Sequence, residues 1–265
     1  MNFTVENQPV FAYTGSKPLD AAKSGIIFIH GVANDHSVWQ LQSRYFAHHG
    51  FNALAIDLPG HGRSGGAPRG SIGECAGWLA AFLDAAGMSD ATLVGHSMGG
   101  LIAVETALRF PARVRQLALL GVCIPMPVAG VLLNAAKDDP SSAFDMLNLW
   151  GHGPAAKMGK SPSPGLTLLG NYRRLLEQSR PGVLYSDLCA CNSYSFEPAQ
   201  RLAIACPTLS LIGLRDQMTA PKAARATAAL IAGAKTVAID AGHSMMAEAP
   251  DDVLAHLRSF ISSGR

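Results

Sequence analysis

The chain has 265 residues, 48% hydrophobic and 15% charged, with a formal net charge of +2 from 21 Lys+Arg against 19 Asp+Glu. That length suffices for one large domain burying roughly 70 to 75% of its unfolded surface, and the apolar content excludes a disordered chain. The basic residues, among them Arg109, Arg113, Arg115, Arg173 and Arg174, are scattered rather than gathered into a stripe, which argues against a nucleic-acid partner.

In chain order, residues 2–6 and 10–13 read as two short strands split by Asn7, Gln8 and Pro9, an antiparallel hairpin at one sheet edge. Residues 1–15 hold Glu6 and no positive run before an apolar core, so no secretory signal is read there and a cytoplasmic protein is expected. The apolar run 26–29 reads as a buried strand, and Ser37 as the cap of a helix ending at Gly50. Ser71 with Glu74 makes a capping box for a helix closed by Gly87. Further buried strands are expected at 53–56, 91–94, 116–120, 208–212 and 236–239. The long apolar run 117–133 is broken by Gly121, Pro125, Pro127 and Gly130, which makes it a strand and a loop rather than a membrane span. The last helices start near Pro221 and Pro250, where the missing N–H costs nothing, and the second runs to about Ser262.

This alternation of strand and helix is that of an α/β fold, a parallel sheet covered by helices on both faces. One stretch breaks the rhythm. Residues 123–205 carry helical pieces and no clear strand, far too long for a connection. The expected organisation is therefore a core of 1–122 and 206–265 with a helical cap, or lid, inserted at 123–205.

The segment Gly95-His-Ser-Met-Gly99 fits G-x-S-x-G, directly after an apolar strand and before the helix-compatible run 100–110 that Pro111 stops. The turn is so tight that side chains at the glycines would clash, and it pushes the Ser97 hydroxyl outward as a nucleophile. A serine hydroxyl needs a base, and the base needs a group to fix its tautomer. Of nine histidines, His243 follows the last expected strand and so lies at the carboxyl edge of the sheet with Ser97. His48, His49 and His256 belong to helices, and His61 to a turn. Asp216, after the penultimate strand, gives the chain order Ser, Asp, His. Asp57 is read as organising its own turn, and Asp240 as too near His243 in sequence to bond it easily. The Val32 and Met98 N–H groups are the expected oxyanion donors, Met98 at the positive end of its helix. His30 is read as structural. The five cysteines lack a CxxC spacing and are read as reduced thiols, Cys189 and Cys191 as small buried hydrophobes, so no metal is expected.

Taken together, His30-Gly31, Asp57-Leu-Pro-Gly-His-Gly-Arg-Ser64, Gly95-His-Ser-Met-Gly-Gly100, Asp216, and His243 followed by Glu248-Ala-Pro250 resemble the alpha/beta-hydrolase superfamily, in its small cap-bearing esterase and carbon-carbon hydrolase branch. The resemblance spans nearly the whole chain. It implies an eight-stranded, mostly parallel sheet, a cap after the sixth strand, a triad of Ser97, Asp216 and His243, and no cofactor. Relatives such as haloalkane dehalogenases and epoxide hydrolases carry Asp where Ser97 stands. The cap matches no substrate-defined subfamily, and Met126, Trp150 and Tyr194 are its candidate pocket residues. The leading expectation is hydrolysis of a small, fairly apolar carboxylic ester through an acyl-enzyme. The same triad also serves a carbon-carbon hydrolase, a lactonase, a thioesterase or an acyltransferase, and a capped pocket with a slow triad could serve a ligand receptor.

Overall fold

A computed structural model describes residues 1–195 and 203–263. Its strands are β1 (Asn2–Val5), β2 (Gln8–Tyr13), β3 (Gly25–Ile29), β4 (Asn52–Ile56), β5 (Ala91–His96), β6 (Val114–Leu120), β7 (Thr208–Gly213) and β8 (Lys235–Ile239). They form one sheet in the order β1-β2-β4-β3-β5-β6-β7-β8. β2 runs antiparallel to both β1 and β4, and every later pairing is parallel. The hairpin turns at Glu6 and Asn7, both at positive φ, so Gln8 and Pro9 belong to β2 rather than to the turn.

The helices are α1 (Gln40–His48), α2 (Ile72–Ala85), α3 (Met98–Arg109), α4 (Gly130–Asp138), α5 (Pro140–Gly151), α6 (Pro154–Lys157), α7 (Leu168–Glu177), α8 (Val183–Ser193), α9 (Pro221–Ala229), α10 (Met245–Glu248) and α11 (Pro250–Ser262). The central strands β3 to β6 are mostly apolar because both faces are covered. Ile27, Ile29, Leu93 and Leu117 pack on one face with α2 and α3 residues such as Phe82 and Ile102. Ile26, Phe28, Val94 and Ala118 pack on the other with Phe46 of α1 and Leu257 of α11. β8 corrects an expectation: as the edge strand it leaves Lys235, Thr236 and Ala238 exposed, so it is not buried. Ser37 is also displaced from its expected role. Asp35 caps a single 3-10 turn, His36–Trp39, by accepting from Ser37 N–H, and the α-helix begins only at Gln40.

All five helices α4 to α8 lie between β6 and β7, and no strand occurs among the described residues there. Residues 196–202 of the stretch expected to form the cap lie outside the described residues. Among the described residues, no helix is long and apolar enough to cross a membrane. β3 pairs with β4 on one side and β5 on the other, so the chain leaves β3 and β5 in opposite directions. That switch opens a crevice at the carboxyl ends of the strands, where an open α/β sheet binds ligands.

Candidate active site

Ser97 stands between β5 and α3 with φ +52° and ψ −120°, a conformation L-residues rarely adopt. Its N–H donates to Leu120 O (3.0 Å), and its carbonyl accepts from Gly100 and Leu101 (2.9 and 3.2 Å), so the turn is held on both sides. The glycines are required by packing. A Cβ on Gly95 would fall on the Gly99 carbonyl, one on Gly99 on the Ile29 carbonyl, and one on Gly100 on the Val122 side chain.

His243 and Asp216 arrive on the loops after β8 and β7. Asp216 Oδ2 accepts from His243 Nδ1 at 2.8 Å and from Thr219 Oγ1 at 2.6 Å, while its Oδ1 accepts from the Met218 and Thr219 N–H groups, both at 2.8 Å. Burial alone would raise the Asp216 pKa. The His243 charge and hydrogen bond, with those from Thr219, outweigh it and hold the carboxyl below its ordinary range. With Nδ1–H given to a carboxylate, the imidazole keeps its lone pair on Nε2.

Ser97 and His243 line one small cavity of 20 Å³ together with Gly31, Val32 and His96. Neither Ser97 Oγ nor His243 Nε2 makes a hydrogen bond among the described residues. The structure thus joins Asp216 and His243 directly and brings Ser97 to the same cavity, without a Ser97–His243 hydrogen bond. The N–H groups of Val32 and Met98 are likewise unengaged among the described residues, Met98 as the first residue of α3.

A second cavity of 190 Å³ extends from Ser97 and Val32, walled by Met126, Leu132, Trp150, Leu188 and Met218 among others. Met126 and Trp150, two of the expected pocket residues, line this cavity. Tyr194 does not line it: its hydroxyl donates to Glu105 Oε2 (2.8 Å) on α3, because a phenol half-buried against the core needs a partner there.

The set-aside groups have structural partners. Asp57 accepts from the His36 and Arg63 N–H groups and from the His36 ring, organising its turn. Asp240 pairs with exposed Arg215. His30 donates Nδ1–H to Gly31 O (2.8 Å) and accepts from Leu58 N–H (3.2 Å), and burial and the neighbouring His61 drive its pKa down to about 4. The five cysteines are free, with Cys189 only half-buried rather than buried. Asp35, His36 and Asp57 converge closely enough to hold an ion, but Asp57 already accepts three hydrogen bonds from the turn.

Three supporting residues escape sequence reasoning. Thr219 holds Asp216. His96, the variable residue of G-x-S-x-G, donates Nε2–H to His243 O (2.9 Å) and ties the two loops together. Glu248 accepts from Gly242 and Gly153 N–H (3.1 and 2.9 Å), joining the His243 loop to the chain after α5. His96 and Glu248 stood within the motifs that carry the resemblance, but nothing in the sequence marked these contacts, and Thr219 carried no signal.

Comparison with known proteins identifies the family. A dihydrolipoyllysine-residue acetyltransferase component of the acetoin cleaving system of Cupriavidus necator is 30% identical over 244 residues, 89% of this chain and 63% of that protein. The chain thus spans less than two thirds of that relative's length. A 2-hydroxy-6-oxononadienedioate/2-hydroxy-6-oxononatrienedioate hydrolase of Burkholderia vietnamiensis is 36% identical over 140 residues, 47% of this chain and 49% of that one. A thermophilic esterase of known structure superposes with a TM-score of 0.85 at 26% identity, covering 100% of this chain and 97% of that one. The model of the alpha/beta hydrolase family matches residues 26–256. With the eight-stranded sheet and the serine elbow at its switch point, this chain belongs to the alpha/beta hydrolase family.

Proposed function

We propose that the chain hydrolyses a small, fairly apolar carboxylic ester through an acyl-enzyme on Ser97, beneath a cap formed by α4 to α8. The observation that carries this reading is the 2.8 Å contact of His243 Nδ1 with Asp216, which leaves Nε2 basic at the cavity Ser97 shares. Ser97 Oγ attacks the ester carbonyl carbon while its proton passes to Nε2. The carbonyl oxygen, now an oxyanion, accepts from the free Val32 and Met98 N–H groups. The intermediate collapses, the alcohol leaves with the proton from Nε2, and a water repeats the sequence to release the acid. The serine–histidine bond closes in the substrate complex, as such bonds commonly tighten on ligand binding. The apolar walls given by Met126, Leu132 and Trp150 favour a small hydrocarbon group.

Purified Ser97→Ala is expected to lose p-nitrophenyl ester turnover by up to about a million-fold, and near-normal turnover in that variant would defeat the assignment. A fluorophosphonate should label Ser97 in the wild type; no adduct there would favour a binding protein over an enzyme.

A second reading keeps the triad and cleaves a carbon-carbon bond, favoured by the stretch of 36% identity to the Burkholderia vietnamiensis hydrolase. A panel of p-nitrophenyl esters, thioesters and vinylogous diketones separates the two, since a clear preference for the diketones displaces the ester.

A further inference from the structure

The four-residue turn after β3 carries the Val32 N–H, and it is strained. Ala33 sits at φ +53°, a region where its Cβ is disfavoured, and Asn34 N–H closes the turn on Gly31 O at 3.3 Å. Gly31 O and Val32 N–H belong to one planar trans peptide, so His30, donating to that carbonyl, also aims the N–H on its far side. The next peptide is held from elsewhere. Ala33 N–H donates at 2.9 Å to Oδ2 of Asp187, which lies on α8, 154 residues further along the chain.

The same Asp187 oxygen accepts from His61 Nε2 at 2.8 Å, and His61 Nδ1 faces the Pro59 carbonyl at 2.9 Å. Both ring nitrogens face oxygens, an arrangement that suits a His61 ring protonated on both against the Asp187 carboxylate. Burial opposes that charge, and the Asp187 carboxylate overcomes it and raises the His61 pKa. Asp187 and His61 are almost fully buried, at 3% and 4% exposure. An ion pair taken out of water this way rarely gains net stability over an apolar pair, so its presence asks for another role.

We propose that Asp187 is a positioning residue, holding Ala33 N–H from α8 so that the strained turn presents the Val32 N–H to the oxyanion at Ser97. The inference rests on the assignment of Val32 as an oxyanion donor made above. Its consequence is that the helices between β6 and β7 do more than roof the pocket: they complete the catalytic loop of the sheet, with His61 as the second donor that fixes the Asp187 oxygen in place.

Three variants test it, each checked for a cooperative thermal melt before assay. Asp187→Ala removes the anchor, and Asp187→Glu moves the carboxylate by one methylene while keeping its charge. Both are expected to lower kcat about 10- to 100-fold with KM changed less than about threefold, the scale of a small misplacement of catalytic groups. Asp187→Asn is isosteric and keeps an acceptor for Ala33, so it should restore kcat to within about threefold of wild type. Inhibition by a trifluoromethyl ketone, which forms the oxyanion, should weaken in Asp187→Ala and Asp187→Glu in proportion to kcat/KM, while a methyl ketone of the same chain binds as in wild type. If Asp187→Ala does not fold, Asp187→Glu carries the test. A folded Ala or Glu variant with wild-type kcat overturns the proposal, as does a loss confined to KM or one that Asn shares in full. The Ser97→Ala and labelling experiments decide the ester reading independently, so failure of one is distinguishable from failure of the other.

Discussion

The geometry around Ser97 shows how much of a candidate site is decided by residues that carry no reactive group. The elbow exists because Gly95, Gly99 and Gly100 lack a Cβ where backbone or the Val122 side chain already stands. Gly99→Ala would have to push α3 off β3, and it should abolish turnover and lower the melting temperature in differential scanning calorimetry, since overpacked backbone contacts cannot relax by rotamer change. Thr219 belongs to the same class. Thr219→Val removes a buried hydroxyl that donates to the Asp216 carboxylate, and a loss of about 1.5–3 kcal/mol in urea denaturation is the expected cost of a hydrogen bond to a charged group. Asp216→Asn should lower kcat by up to about ten-thousand-fold at unchanged fold, because the amide leaves His243 in the wrong tautomer.

Among the elements, α2 illustrates local signals read correctly and refined by geometry. Ser71 accepts from Glu74 N–H at 3.2 Å, but the Glu74 carboxylate reaches back one residue past the cap, to Gly70 N–H at 2.8 Å. Ser71→Ala should therefore cost about 1 kcal/mol in chemical denaturation. Proline placement at 221 and 250 marks the starts of α9 and α11 because a first-turn position needs no N–H donor. Burial of β8 was not legible from its sequence, since a short apolar run reads alike in the centre and at the edge of a sheet. Its Lys235 and Thr236 stand at the exposed edge, where a charge discourages pairing with another chain.

The molecule as a whole keeps a set of histidines neutral inside it. His30 and His96 are fully buried, and their pKa values fall to about 4 and about 3, first through burial and then through neighbouring histidines. In the unfolded chain each titrates near 6.5. Below about pH 6.5 the unfolded state binds protons that the folded state refuses, so stability present above that pH is lost on acidification toward 4 and 3. The expected slope is about 1.4 kcal/mol per pH unit for each histidine in that window, and urea midpoints measured from pH 7 to 4.5 check it. Asp216 acts in a lower window: its depressed pKa contributes stability above about pH 4 that disappears as pH falls through its folded value.

By itself the sequence determined the alternation of elements, the elbow around Ser97, and the order of serine, aspartate and histidine along the chain. These are local: they depend on a hydrophobic period, on residues that lack a Cβ and on chain order. Tertiary structure alone decided which side chains meet across long separations. Tyr194 turned to Glu105, His96 tied the elbow to His243, and Asp187 reached Ala33 and His61. Such contacts arise from how the loops at the strand ends and the helices between β6 and β7 settle on the sheet, and no periodicity records where a buried polar group finds the partner that its desolvation demands.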